Sequence, residues 1–369
     1  MRMNVLGLAL GVVCAIHLNA CGSGSTPANS ATVTWVAVAD WYFDAGSTRV
    51  YLDGALTRFD PTNFHGGGSG LSFSNTAVCS ASTTDQKVLN AIGKKPSHVL
   101  TGHSNLDHSY DTATIAKLTG APIIGSPSTC LEAQGQGVAA SQCTSVMGGE
   151  TFELGDGMHV RIVHWNHSGN ASNPDLHLPL ELTKPITPDA QGCLKPGVQE
   201  DFPNGGGGRG LLFVGGDATH RWSIFFVDTG SDFDFTQDVP DNVDAKGNAC
   251  GSATCGHHGS PQANLQAAMQ AEGLDHVDLW IGSASLPLAK LVFPIIHPKA
   301  FIPNHLGSFY IDFFQGLTTP YTDTTLPAYV ASQSGNFQTP KQFMDSWTVD
   351  PKNGTSPTPN TAVKAALGF

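Results

Sequence analysis

The chain has 369 residues, of which 18 are Lys or Arg and 30 are Asp or Glu, giving a formal net charge of −12. An acidic surface repels phosphate backbones, which argues against nonspecific nucleic-acid binding and leaves nucleic acid out as a partner. The length suits one large domain with decorations, long enough to bury a substantial core.

Residues 1–20 read as an export signal, with Arg2 as the positive start and residues 5–18 apolar apart from His17. That run is too short for a comfortable membrane span. Leu18, Asn19, Ala20 and Cys21 resemble a bacterial lipoprotein cleavage box. On that resemblance Cys21 is the lipidated first residue, residues 21–32 are a flexible tether, and Gly22 directs the exported chain to the outer membrane, on its periplasmic or cell-surface side. A simple signal peptide with an incidental cysteine is the competing reading.

Residues 33–38 and 48–52 are β-branched and aromatic runs, and Asp44, Ala45, Gly46 and Ser47 between them read as a hairpin. Residues 59–75 have no period and three consecutive glycines, which predicts a loop; His65 within it could meet substrate or face solvent. A β-rich run, 97–102, is followed by a helix over 111–118 with Ala113, Ile115, Ala116 and Leu118 on one face, Gly120 as its stop, and a short strand over 121–124. After a strand at 158–163, the proline- and glycine-rich stretch 166–210 reads as an insertion. Residues 211–214 and 222–227 are apolar enough for buried strands. The polar excursion 233–259 carries His257 and His258, read as surface residues.

Ser260 and Pro261 then open a helix through Glu272, with Leu265, Ala268 and Met269 on one face and Gly273 as its stop. Residues 276–281 and 300–302 predict the last strands, and Thr339 and Pro340 start a short helix carrying Phe343 and Trp347. Residues 361–367 are helix-like. The organisation is thus a domain over 33–330 and a C-terminal extension, 331–369, packed on it. Apart from Cys14 and Cys21 the cysteines form an even set, as expected of disulfides in an oxidising compartment. Cys250 with Cys255 and Cys130 with Cys143 would close small loops, and Cys79 with Cys193 is the pair that remains.

The segment that carries chemistry is His103, Ser104, Asn105, Leu106, Asp107 and His108, at the end of the 97–102 run. A strand that stops abruptly can splay closely spaced side chains around one point, and imidazoles beside a carboxylate suit zinc. A polar loop capping a helix is the plain alternative.

This string resembles the His-x-His-x-Asp-His signature of the metallo-β-lactamase-fold hydrolases, and further motifs follow in the same order. His167 with Ser168 and Gly169 is similar to the third-histidine motif, and Asp217, after the apolar run 211–214 and two glycines, resembles the bridging aspartate. His305, after Pro303 and Asn304, resembles the last histidine, and Asp53 the aspartate ending an early strand. The likeness spans residues 33–314 and implies an α/β fold, the four-layer αβ/βα sandwich of that superfamily, with loop insertions.

The resemblance also implies a metal-dependent hydrolase that uses zinc-bound hydroxide on a small-molecule ester, lactone, amide or phosphodiester. Its metal residues would be His103, Asn105, Asp107, His108, His167, Asp217 and His305, with Asp107 also orienting or deprotonating water. His164 is a rival to His167, and His220, three residues past Asp217, could reach substrate. The departure is Asn105, where the family has its second histidine. An amide oxygen is a weak donor, so the implied pattern is one ion at the complete site of Asp107, His108, Asp217 and His305, with a second weak, substituted or absent. The alternative is a lipid-anchored binding protein with the same fold and a degraded metal site.

Overall fold

The structure is a computed structural model that describes residues 28–59, 64–67, 70–73, 77–167, 181–195, 207–238, 249–250, 257–307, 312–315 and 321–369. The first half of the chain runs β1 (Ala31–Ala37), β2 (Asp40–Ala45), β3 (Thr48–Leu52), β4 (Phe64–Gly67), β5 (Gly70–Phe73), α1 (Ser82–Ile92), β6 (His98–Leu100), α2 (Leu106–Ser109), α3 (Thr112–Thr119), β7 (Ile123–Gly125), α4 (Pro127–Gly135) and β8 (Cys143–Ser145). The second half runs β9 (Thr151–Gly155), β10 (Met158–His164), β11 (Arg209–Gly215), β12 (Trp222–Phe226), α5 (Pro261–Glu272), β13 (Leu279–Ser283), α6 (Leu286–Ile296), β14 (Ala300–Asn304), α7 (Thr325–Ser332), β15 (Asn336–Phe337), β16 (Ser346–Asp350), β17 (Gly354–Thr358) and α8 (Thr361–Leu367).

Two large sheets form, ordered β17-β16-β1-β2-β3-β6-β7-β8 and β15-β14-β13-β12-β11-β10-β9, with β4 and β5 as a separate hairpin. Alternation along β11 shows how the layers arise. Leu211 and Phe213 join Val33, Phe43, Val50, Ile224 and Ile302 in the core between the sheets. Leu212 and Val214 point the other way, into a second core with Leu265 and Met269 of α5, Val292 and Ile296 of α6, and Val330 of α7. The rings of Phe43 and Phe213 meet across the sheets with centroids 5.1 Å apart. Helices thus cover the outside of each sheet, giving the expected four-layer α/β sandwich.

Local signals place the helices. Ser126, Ser260 and Ser285 cap α4, α5 and α6, each accepting a hydrogen bond from a backbone N–H three residues on, and each of these helices has a proline in its first turn. Among the described residues, no helix is long and apolar enough to cross a membrane. Disulfides join Cys130 to Cys143 and Cys79 to Cys193. Cys250 is also disulfide-bonded. Cys255 and the segment with Cys21 lie outside the described residues.

Four expectations change. The loop expected over 59–75 contains the antiparallel hairpin of β4 and β5. The opening hairpin is a three-stranded meander, because β2, whose apolar run is broken by Asp40 and Asp44, pairs with both β1 and β3. The C-terminal extension is not packed onto a finished domain: β16 pairs with β1, and β17 with β16, so residues 346–358 form one edge of the first sheet. The helix expected after Pro340 is absent. Trp347 lies in β16, where it pairs opposite Val33, and its apolar side chain fills the inter-sheet core.

Candidate metal centre

Strand direction decides which side chains can converge. β12, β13 and β14 are parallel, β11 runs antiparallel to β12, and β10 antiparallel to β11. The C-terminal ends of β10, β12 and β14 therefore share one end of the second sheet. They deliver His167, Asp228 and His305. In the first sheet β3 and β6 are parallel, and their ends deliver Asp53 and the 103–108 segment. Strand ends from both sheets thus build the site, as layered α/β folds commonly arrange.

Asp228 is the centre of this arrangement. Its Oδ2 lies 2.9 Å from His103 Nδ1 and 3.1 Å from His108 Nδ1. His108 Nδ1 is also 3.0 Å from Asp53 Oδ2, while Asp53 Oδ1 accepts the Gly102 N–H at 2.9 Å. Only glycine fits at 102, since a Cβ there would lie 2.4 Å from Asp228 Oδ2. On the other edge of the His108 ring, Nε2 is 3.6 Å from Asp107 Oδ2, which lies 2.8 Å from His305 Nε2. His103, His108 and Asp228 thus each offer a donor atom within 4.8 Å of the others, and so do Asp107, His108 and His305. The first group is buried, whereas the second reaches solvent through His305.

Charges in the cluster are strongly coupled. Burial pushes the Asp53 carboxyl well up, reinforced by the neighbouring Asp228 charge. Burial opposes ionisation of Asp228 as well, yet His103 and His108 hold it well below the usual carboxylate range. Asp107 is likewise low: burial works against its charge, and His108 and His305 outweigh it. Burial and the His108 charge lower the His103 imidazole, while His108 is raised, the charges of Asp107 and Asp228 overcoming its desolvation.

These residues fit a divalent cation. His103 Nε2 and Asp228 Oδ1 are buried with no hydrogen-bond partner, which is costly unless something else takes the lone pairs. A carboxylate on one ring nitrogen with the other left open is the usual preparation of a histidine ligand. His167 stands beside this pair, its ring 4.9 Å from that of His103 and its Nε2 3.0 Å from Asn105 Nδ2.

The site residues expected from sequence divide accordingly. His103, Asn105, Asp107, His108, His167 and His305 come together. Asp217 does not: it follows β11, which ends at the opposite end of the sheet, and its side chain is 42% exposed against 0% for Asp228. Its carboxylate instead caps its own turn, accepting from the N–H groups of Thr219 and His220 at 2.7 and 2.9 Å. His220 goes with it, its Nε2 2.6 Å from Lys352 Nζ in the turn between β16 and β17, so it cannot serve a substrate held by the cluster.

His164 stacks on His258 with ring centroids 4.7 Å apart, its backbone carbonyl accepting from Asn264 Nδ2 of α5, and leaves the third-histidine place to His167. His65 lies in β4, opposite Ser72 of β5. Asp228 was missed although its signal resembles that of Asp217, an apolar strand followed by Asp and, two residues on, Gly230. Counting strand reversals from β10 would have distinguished the two.

No family model matches the chain. Over 89 residues it is 39% identical to a metal-dependent hydrolase of Pyrobaculum arsenaticum, covering 24% of this chain and 38% of that protein. A metal-dependent hydrolase of Pyrobaculum islandicum is 36% identical over 80 residues, covering 22% and 36%. The chain thus spans well under half the length of these curated relatives. Among solved structures, an isothiocyanate hydrolase from Delia radicum gut bacteria aligns with a TM-score of 0.46 at 11% identity, covering 86% of this chain and 98% of that one. A metallo hydrolase of Ignicoccus hospitalis aligns with a TM-score of 0.46 at 10% identity, covering 86% and 98%.

Proposed function

We propose that this chain is a metal-dependent hydrolase of the metallo-β-lactamase fold that uses zinc against a small-molecule ester, lactone, amide or phosphodiester. The observation that carries the reading is the buried meeting of His103, His108 and Asp228, joined through His108 to the solvent-reaching pair Asp107 and His305. Zinc held there would polarise a carbonyl or phosphoryl oxygen and bring the pKa of water towards neutrality. Asp53 and Asp228 orient the imidazoles. Asp107, with one oxygen facing His305 and partial access to solvent, would orient the attacking water. Asn105 places an amide against His167 Nε2, the atom a second ion would need, so the reading is one well-held ion. Export as a lipoprotein anchored through Cys21 belongs to the same proposal, supported by the disulfides.

The test is metal analysis of the purified chain, with a screen of chromogenic ester, lactone, amide and phosphodiester substrates. The expected result is close to one zinc per chain and turnover abolished in His108→Ala. Asn105→His is expected to raise the number of ions bound. Metal-free protein inert to every substrate would instead support a binding protein with the same fold.

A further inference from the structure

His167 and Asp228 sit on segments whose relative position the sheet does not set. Each lies beyond its strand, and β10 and β12 are separated by β11. What joins the two segments is the dipeptide just before His167. Asn166 Nδ2 donates to the Ser231 carbonyl at 3.0 Å and to Asp234 Oδ1, and its Oδ1 accepts the Ser231 N–H at 3.3 Å. Trp165 Nε1 donates to the Thr229 carbonyl at 3.1 Å. Asn166, Ser231 and Asp234 are all buried, so water does not compete for these bonds. The fit is tight: at Gly230, where φ is +155°, a Cβ would lie 2.8 Å from Trp165 Nε1 and 2.9 Å from Leu288 Cδ2.

We propose that Asn166 is a positioning residue for the metal centre, its side-chain amide clamping the segment that starts at Asp228 to the one that carries His167. The inference rests on the metal-centre reading above. Asn166 touches neither ion nor substrate; it acts through the backbone one residue from His167 and three from Asp228. Both faces of its amide are used at once, which no isosteric replacement reproduces. A carboxylate in its place cannot donate to Ser231 and would face the Asp234 carboxylate.

The experiment is zinc affinity by competition with a chromogenic chelator, alongside the thermal midpoint of the metal-free protein. It compares wild type with Asn166→Ala, Asn166→Asp, the milder Trp165→Phe, and Val330→Ala, on α7, as a destabilised core control that removes no hydrogen bond of the clamp. Losing a group that orients ligands lowers metal affinity by roughly 10- to 100-fold, and that drop is expected for Asn166→Ala and at least as strongly for Asn166→Asp. Trp165→Phe should show a smaller drop. Adding Asp234→Asn to Asn166→Asp restores a carboxylate–amide pair and should recover part of the affinity. Val330→Ala should lower the midpoint while leaving affinity in place. Wild-type affinity in both Asn166→Ala and Trp165→Phe overturns this inference alone, as does an equal loss in Val330→Ala. A wild-type chain that binds no zinc overturns the metal-centre reading and this inference with it.

Discussion

Replacing Asp228 with asparagine, and separately Asp217 with asparagine, puts the two candidate carboxylates in direct competition. Asp228→Asn keeps the side chain's shape but removes the charge on which two imidazoles converge at 2.9 and 3.1 Å. A buried hydrogen bond to a charged group contributes about 1.5–3 kcal/mol. One amide oxygen can still accept from one ring, so the loss of the other contact and of the offsetting charge is expected to cost about 3–5 kcal/mol, the usual result of breaking a buried charged pair. That figure applies to the metal-free protein, measured by denaturant unfolding. In the metal-loaded protein zinc affinity should fall by at least about 100-fold, the upper end for residues that only orient ligands. Asp217→Asn removes a carboxylate that caps an exposed turn at the far end of the sheet, and zinc content and thermal midpoint should stay at wild-type values. Loss of zinc in Asp217→Asn with retention in Asp228→Asn would refute the strand-direction argument for the site.

Three further expectations concern stability and the backing of the site. Burial raises the Asp40 carboxyl to about 8, so the folded chain keeps a proton that the unfolded chain has lost. Stability from this group is therefore complete below about pH 4 and declines as pH rises towards about 8, by up to about 1.4 kcal/mol per pH unit. Denaturant midpoints in Asp40→Asn should fall less between pH 5 and pH 8 than in wild type, and parallel profiles would remove Asp40 as the cause. Tyr110 lies two residues past His108 and donates to the carbonyls of Val78 and Leu194 at 2.7 and 3.2 Å, beside the Cys79–Cys193 disulfide. Tyr110→Phe should cost about 1–2 kcal/mol in denaturant melts, and no change would mean that water satisfies these carbonyls equally well. Phe213→Ala removes the ring that meets Phe43 between the sheets; a loss of about 3–5 kcal/mol is expected, and a value below 1 would show that the core there collapses to fill the space.

Part of this molecule could be read from the chain alone, because some of its signals are local. Residues 103–108 stand together at one strand end, so no folding step can separate them. Serine, proline and glycine at the ends of α5 act within a turn of their own position. The short spacing of Cys130 and Cys143 already restricted their pairing. The family resemblance of the ordered motifs implied the layered α/β architecture, and the apolar run of β11 marked a strand that must be covered on both sides.

Tertiary structure decided whatever depends on strand direction or on partners distant in sequence. Asp217 and Asp228 both follow apolar strands, and only the antiparallel pairing of β11 with β12 sends them to opposite ends of the sheet. The edge strands β16 and β17 read as an appended tail because their partner, β1, lies some 300 residues earlier. The contact of Asn105 with His167 and the grip of Asn166 on Ser231 span more than 60 residues each, so no local pattern marks them. A strand end fixes where a side chain begins, but the direction in which the neighbouring strands run fixes what it meets.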